Sequence, residues 1–308
     1  MPALSHIIEE HIPNGLRLDR FVPEYLRLLS RSQIKARNLS AKVNGRDVKL
    51  SRTVRRGDLL ELRWDDVPAQ DIIPENIPLE IIHEDNRCVV INKPQGLVVH
   101  PGAGNRQGTL ANALCFRLLQ KGGEAGAGTR PGIVHRLDKE TSGVIIAAWD
   151  DEAQAFLCEQ FKSRKVKKTY AAIVRGVPKE KDGRIETFIA RDPRDRKRFA
   201  VCERGKTALT FYKVLKSWQN YSLLLLRPRT GRTHQLRVHL KYLGHPVLGD
   251  PLYGCADKHF PDAPLMLHSR DLAITLIGET EQRIFTSPIP GRFHAVMQKL
   301  NAPGGARE

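Results

Sequence analysis

Short runs of β-branched and aliphatic residues, separated by turn sequences, dominate the chain from residue 79 onward. Such runs are typical of buried strands, and they predict strands at 88–91, 143–148, 170–174 and 221–225. Helical periodicity is limited to 109–120, 152–164 and 233–243. Strands thus outnumber helices and do not alternate with them regularly. This pattern predicts an α+β fold with a mixed or antiparallel sheet and disfavours a doubly wound α/β fold.

The N-terminal part of the chain has a different pattern. Apolar residues across 18–29 recur at three- and four-residue spacing, which predicts an amphipathic helix. A second helix is predicted over 33–39, with Ser30 or Ser32 as its N-cap. Asn44-Gly45 between two valines predicts a β-hairpin. We therefore expect a small unit of two short helices and a few strands.

The segment 67–78 is rich in proline, aspartate and polar residues, which is typical of a linker. A chain of 308 residues has a length typical of about two domains. We predict a small domain at 1–66, the linker, a larger domain at 79–300 and a disordered tail at 301–308. The Gly- and Ala-rich segment 121–130 is predicted to be a surface loop.

The chain carries a net charge of +16, from 50 Lys and Arg against 34 Asp and Glu. Residues 16–63 contain thirteen Lys and Arg against five Asp and Glu, a net charge of +8. A basic excess on a folded protein favours binding to a polyanion. Nucleic acid ranks ahead of a membrane surface or an acidic protein, and a merely solvated basic face is the alternative.

Several classes of protein are disfavoured by what the sequence lacks. No apolar run approaches the ~20 residues that cross a bilayer, and the N-terminus does not resemble a signal peptide. The five cysteines include no C-x-x-C pair, which predicts reduced thiols in a cytosolic protein. Dinucleotide, P-loop, zinc-protease and nucleophile-elbow motifs do not occur either, so nucleotide-dependent chemistry is not expected.

Three polar clusters stand out in the larger domain. HRLDKETSG at 135–143 precedes a strand; Asp138 is either a turn-capping or a functional residue, and His135 is expected to shape the turn. The cluster at 230–239 opens a helix and has two histidines and two arginines, more than a helix cap requires. The cluster at 165–170, KVKKTY, combines positive charge with a tyrosine, which suits phosphate contact and base stacking.

Taken in chain order, these clusters resemble the motifs of the RluA-type RNA pseudouridine synthases. HRLDKETSG is similar to their catalytic motif, and KKTYAAIVRG and TGRTHQLRVHLKYLGHPVLGDPLYG to their second and third motifs. The N-terminal unit, with LSRSQIKARNLSAKVNGRDV, resembles an S4 RNA-binding domain. The resemblance implies a pseudouridine synthase fold and isomerisation of uridine to pseudouridine in RNA. Large-subunit ribosomal RNA is favoured over transfer RNA.

The resemblance also implies roles for individual residues. Asp138 would be the catalytic nucleophile or base, paired with Arg237, and Tyr170 would stack on the uracil and move the C5 proton. Leu236 would contact the other face of the base, and Arg136 would fill the space that a flipped base leaves. Further cations would contact the RNA: Arg31, Lys35, Arg37, Lys167 and Lys168.

Such a reaction includes no redox step and no phosphoryl transfer. The resemblance therefore implies no cofactor and no metal, with RNA as the partner of a monomeric cytoplasmic enzyme that does not bind membranes. Two alternatives stay open. One is an RNA-binding or ribosome-assembly factor without catalysis; the other is a hydrolase that uses Ser142 or Cys158 with His234.

Overall fold

The computed structural model describes residues 2–9, 15–26, 28–29, 34, 37–65, 72–102, 104–122 and 132–302. Most of the second predicted N-terminal helix and its cap, most of the segment 121–130 and the tail from residue 303 lie outside the described residues. The chain divides into two compact units, Met1–Asp71 and Ile72–Glu308. The division falls inside the segment that composition predicts to be a linker.

The N-terminal unit contains a small antiparallel sheet and one short described helix. Its elements are β1 (Ala3–Ile7), β2 (Leu16–Arg17), α1 (Leu18–Glu24), β3 (Ser40–Val43), β4 (Arg46–Val48), β5 (Thr53–Val54) and β6 (Leu59–Arg63). The main sheet has the order β1-β6-β3-β4, and β2 pairs with β5. Asn44 and Gly45 have φ values of 52° and 76°, as the predicted tight hairpin requires. Helix α1 ends at Glu24, short of the predicted 18–29, and the N–H of Tyr25 closes it by donating to the carbonyl of Phe21 at 3.0 Å.

An extended sheet forms the centre of the C-terminal unit. Its strands are β7 (Glu80–Glu84), β8 (Cys88–Lys93), β9 (Gly132–Ile133), β10 (Ser142–Ala148), β11 (Lys167–Arg175), β12 (Asp182–Arg191), β13 (Phe199–Cys202), β14 (Lys206–Ser217), β15 (Tyr221–Pro228), β16 (Leu267–Thr275) and β17 (Gln282–Thr286). The order is β13-β12-β14-β15-β11-β16-β10-β8-β7, with β17 beside β16 and β9 beside β10. The pair β10 and β16 is parallel, and the other described pairs are antiparallel. The predicted α+β fold with a mixed sheet is thus confirmed.

Four described helices accompany this sheet. They are α2 (Leu110–Gln120), α3 (Asp151–Lys162), α4 (Gln235–Tyr242) and α5 (Gly291–Asn301). The first three were predicted from periodicity to within about two residues at each end, whereas α5 was not predicted. Asp150 caps α3 by accepting the N–H of Ala153 at 2.9 Å. Among the described residues, no helix is long and apolar enough to span a membrane.

Strand β10 is buried on both faces, which explains its continuous apolar sequence. Ile145 joins the main core together with Leu114 of α2. Its neighbour Val144 joins a second cluster that contains Leu157 of α3. The strand that follows the HRLD motif is therefore fixed from both sides.

Gly143 lies where β10 meets β16. Its φ is +111°, and a Cβ added there would lie 2.0 Å from the carbonyl oxygen of Ser269. No other residue fits such a close approach of two backbones. This contact anchors the strand directly after the segment that carries Asp138.

Candidate active site

Asp138 lies between β9 and β10, in residues 134–141, which we call the Asp138 loop. The N–H of Thr141 donates to the backbone carbonyl oxygen of Asp138 at 3.1 Å, so the turn is closed without the carboxylate. That carboxylate is 22% exposed and lines a cleft with a volume of about 550 Å³. It is therefore available to groups inside the cleft.

Lys93, the last residue of β8, contacts the Asp138 loop from the protein interior. Its fully buried Nζ donates to two carbonyl groups just after β8 and, at 3.1 Å, to the carbonyl of Lys139. Burial lowers the pKa of Lys93 to about 8, although the nearby charges of Glu140 and Asp138 oppose the shift. The sequence prediction did not assign a role to Lys93. Its contacts tie the segment just after β8 to the Asp138 loop.

Arg237, on α4, is held between two carboxylates. Its Nε and Nη2 donate to the two oxygens of Asp250, both at 2.7 Å, and Nη1 lies 3.3 Å from Oδ2 of Asp138. Oδ1 of Asp250 also accepts the N–H groups of Leu252 and Tyr253. A bidentate pair of this kind fixes the plane of a guanidinium. Asp250 thus orients Arg237 toward Asp138, a role that the sequence prediction missed.

The charges of this group are maintained in spite of burial. Burial favours the neutral form of Arg237, but the hydrogen bonds and charges of Asp250 and Asp138 raise its pKa above the ordinary value. Burial also opposes ionisation of Asp250, and Arg237 with the two backbone donors outweighs it, so the pKa of Asp250 is lowered. Arg237 is therefore a fixed cation next to Asp138.

Tyr170 and Leu236 also line the cleft, and both are buried. Tyr170 belongs to β11 and Leu236 to the first turn of α4. Burial raises the pKa of Tyr170 to about 12, with a hydrogen bond from Ser269 opposing and the charge of Asp138 adding to the shift. The phenol is thus protonated at neutral pH. The structure places these two apolar surfaces in the same cleft as the Asp138 carboxylate.

Cations surround the cleft. Besides Arg237, the lining cations are Arg136, Lys162, Arg164, Lys168, Arg229 and Arg232. Arg136 is exposed, whereas Lys168 is half-buried and burial lowers its pKa. Among the described lining residues, Asp138 is the single carboxylate. Such a surface suits the binding of a polyanion, one group of which enters the cleft and contacts Asp138.

Of the other predicted RNA-binding residues, the structure describes Lys167 and Arg37. Lys167 is exposed at the start of β11 and does not line the cleft. Arg37 belongs to the N-terminal unit and is half-buried. Arg31 and Lys35 lie outside the described residues.

His234 precedes α4 and has a φ of +55°. Its Nδ1 lies 2.9 Å from Oη of Tyr253, and its Nε2 lies 3.9 Å from Oδ2 of Asp138. A non-glycine residue in this left-handed region is strained by about 1–3 kcal/mol. The sequence analysis named His234 as part of the cluster at 230–239 and of the hydrolase alternative. It predicted no role for Tyr253.

His135 has a structural environment. Its Nε2 accepts the N–H of Ile146 at 3.1 Å, and its ring stacks on Phe161 with 4.5 Å between centroids. Burial lowers the pKa of His135 to about 3. The neutral ring thus connects the Asp138 loop to β10 and α3.

Ser142 is buried and does not line the cleft, unlike the nucleophile of a hydrolase. Its buried Oγ lies 2.8 Å from Nδ1 of buried His268 and accepts a hydrogen bond from Arg292 at 2.6 Å. Ser142 does not line the cleft that contains His234. Burial raises the pKa of Cys158, which disfavours a reactive thiolate.

One described cluster has the residue types of a metal site. Ligand atoms of His83, Asp85 and Cys88 lie within 4.8 Å of one another. The Asp85 carboxylate is already occupied, since it accepts the N–H groups of Arg87 and Cys88 and pairs with His83. Burial and the charge of Asp85 raise the pKa of the Cys88 thiol to about 12. This cluster is therefore satisfied as a turn and does not line the cleft.

Comparison with known proteins identifies the family. Residues 87–242 match the RNA pseudouridylate synthase family. A relative from Borreliella burgdorferi named ribosomal large subunit pseudouridine synthase D is 45% identical over 91% of this chain and 88% of its own length. A relative of the same name from Haemophilus ducreyi is 41% identical over 78% of this chain and 73% of its own.

Solved structures show the same fold. The human RNA pseudouridylate synthase domain containing 4 matches with a TM-score of 0.59 and 30% identity, covering 73% of this chain and 94% of that one. This confirms the pseudouridine synthase fold and the enzyme class that the three motifs predict. The chain belongs to the RNA pseudouridylate synthase family.

Proposed function

We propose that this enzyme converts uridine to pseudouridine in large-subunit ribosomal RNA, with Asp138 as the reacting carboxylate. The observation that carries the proposal is the position of Asp138: it is the one described carboxylate in a cationic cleft, next to the fixed guanidinium of Arg237. The names of the relatives support the choice of RNA. A ribosomal RNA substrate would place the protein in the cytoplasm, and we propose that it acts as a monomer.

The cleft offers what the isomerisation needs. The N1–C1′ bond of uridine breaks, the uracil turns, and a C5–C1′ bond forms; C5 loses its proton, and N1, freed from the sugar, gains one. Substrate and product are isomers, so nothing is oxidised or reduced. The Asp138 carboxylate acts on the base or the sugar, and the guanidinium of Arg237, 3.3 Å from Oδ2, orients it.

Tyr170 and Leu236 provide the two faces between which the uracil lies. Stacking of a base on an aromatic ring contributes about 1–3 kcal/mol. This gain offsets part of the free energy that is needed to take the uridine out of its helix. Arg136, exposed at the cleft, is the residue that would replace the extruded base in the RNA. Lys168 and the other lining cations contact phosphates and contribute affinity without sequence information.

A comparison of cells with and without this protein tests the substrate. Pseudouridine maps of ribosomal and transfer RNA, made by carbodiimide treatment and primer extension, are expected to lose signal at one or a few large-subunit positions only. Loss confined to transfer RNA would contradict the ribosomal assignment. Identical maps would support the alternative of an RNA-binding factor without catalysis.

We also propose that the N-terminal unit is an S4-like RNA-binding domain. Several of its cations are exposed: Arg46, Lys49, Arg52, Arg55 and Arg56. Its core, which includes Leu18, Phe21 and Leu60, forms a cluster of its own. The unit thus presents a basic surface on a separate folded support, as an RNA-binding module does.

Removal of residues 1–66 is expected to weaken RNA binding and to flatten its dependence on salt. Each lost phosphate contact reduces the slope of log K against log salt by about 0.7–0.9. Filter binding at four or five salt concentrations measures this slope for the full chain and the truncated chain. An unchanged slope would show that the basic segment 16–63 is only solvated.

A further inference from the structure

His234 connects the reacting carboxylate to a residue deeper in the fold. Its side chain is 16% exposed and lines the cleft. Nε2 is the ring nitrogen near Asp138, at 3.9 Å from Oδ2. Nδ1 lies on the other side, 2.9 Å from Oη of Tyr253. The ring therefore bridges Tyr253 and Asp138.

Tyr253 determines which ring nitrogen carries the proton. The backbone N–H of Phe199 donates to Oη of Tyr253 at 2.8 Å. The hydroxyl keeps one proton to donate, and among the described residues its acceptor within hydrogen-bonding distance is Nδ1 of His234. Because Nδ1 accepts, the proton of the neutral ring lies on Nε2.

The neutral form of the His234 ring is favoured. Burial lowers the pKa of His234, although the charge of Asp138 opposes the shift. A neutral imidazole with its proton on Nε2 presents one donor to the cleft, on the side of the Asp138 carboxylate. The donor is thus present without a second positive charge beside Arg237.

Both neighbours of the Asp138 carboxylate lie next to the same oxygen. Nη1 of Arg237 and Nε2 of His234 each approach Oδ2, at 3.3 and 3.9 Å. In the part of the chain that the structure describes, Oδ1 has no polar partner within hydrogen-bonding distance. One oxygen is therefore held and the other is open to a substrate.

We propose that His234 is a positioning residue for Asp138, whose Nε2–H holds Oδ2 together with Arg237 so that Oδ1 meets the uridine. The inference rests on the proposed role of Asp138. The distance of 3.9 Å exceeds that of a hydrogen bond, and it shortens when the base fills the cleft, as contacts of this kind do in a substrate complex.

The backbone at His234 supports a functional role for its side chain. With φ at +55°, glycine would fit this position without strain, and asparagine, like histidine, is among the side chains found most often in this region. A histidine in a strained conformation that faces a cleft points to a use for the ring. The same fact makes His234→Asn a suitable variant, since asparagine tolerates this φ.

Two amide variants separate the two nitrogens. The side chain of asparagine corresponds to Nδ1 and keeps an acceptor for Tyr253, but it has no donor near Asp138. Glutamine reaches the position of Nε2 and restores that donor. We expect His234→Asn to lower the single-turnover rate of pseudouridine formation by about 10²-fold, the effect of a reacting group misplaced by about 1 Å. We expect His234→Gln to recover part of this loss, and neither variant to change the Kd for RNA.

Tyr253→Phe provides the second measurement. It is expected to slow the same rate in the wild-type background and to have no additional effect in His234→Asn, because it acts through His234. His294→Asn, at an exposed position of α5, is the matched control and should keep the wild-type rate.

The outcomes distinguish this inference from the proposed function. If His234→Asn or Tyr253→Phe reacts at the wild-type rate while Asp138→Asn is inactive, the positioning role is wrong and the reacting carboxylate stands. If Asp138→Asn itself reacts normally, the proposed role of Asp138 is wrong. Equal losses in His234→Asn and His234→Gln would indicate a merely structural role and would also overturn the inference.

Discussion

Asp138→Asn is expected to reduce pseudouridine formation by about 10³-fold or more, the loss seen when a nucleophile is removed. Asparagine has the same shape and keeps an oxygen for Arg237, which lies 3.3 Å from the carboxylate. It lacks the charge that makes the oxygen a nucleophile or base at neutral pH. Carbodiimide treatment and primer extension on a ribosomal RNA fragment measure the loss.

The affinity for RNA is expected to stay within a few-fold of the wild type, with any change toward tighter binding. The substitution removes the one described carboxylate of a cleft lined by seven Lys and Arg residues, so repulsion of phosphates decreases. Asp262→Asn, at an exposed position, is the matched control. Normal turnover by Asp138→Asn would rule out the proposed role of this carboxylate.

Asp250→Ala is expected to destabilise the C-terminal unit by about 3–5 kcal/mol, because it leaves the buried guanidinium of Arg237 without its bidentate partner. Unfolding in urea, followed by circular dichroism, measures the free energy. Asp262→Ala removes an exposed carboxylate and should leave the stability unchanged within about 0.5 kcal/mol.

A double variant separates stability from catalysis. Arg237→Met with Asp250→Leu replaces the buried pair by apolar residues of similar size, which often restores stability. This variant is expected to unfold near the wild-type midpoint and to remain inactive, since Asp138 has lost its guanidinium. Stability of Asp250→Ala equal to that of the wild type would show that the buried pair does not hold this region together.

The central strands could be predicted from the sequence because buried strands consist of continuous apolar residues, which are visible in the sequence. All seven residues of β10 are buried, and the run of apolar side chains at 143–148 is the direct result. Strands β12 and β14 were not predicted. They have one exposed face rich in charged residues, and their long antiparallel pairing is set by partners elsewhere in the chain.

The candidate site was predicted only in part, for a related reason. The motifs drew attention to Asp138 and Arg237, which are 99 residues apart. Asp250 and Tyr253 received no role, because a buried carboxylate or phenol has no local periodicity to signal it. Their functions follow from contacts that only the folded chain creates.

The Asp138 loop enters the sheet through Gly143, where two backbones touch, and Lys93 ties the carbonyl group of Lys139 to the end of β8. At the start of the loop, His135 accepts the N–H of Ile146. A loop that is held on both sides of Asp138 cannot move to meet a base that stays stacked in its helix. The conformational change that brings the base to Asp138 is therefore made by the RNA. Selection among uridines then depends on the free energy that unstacking each one costs. Uridines that are weakly stacked in the folded RNA are therefore favoured as substrates.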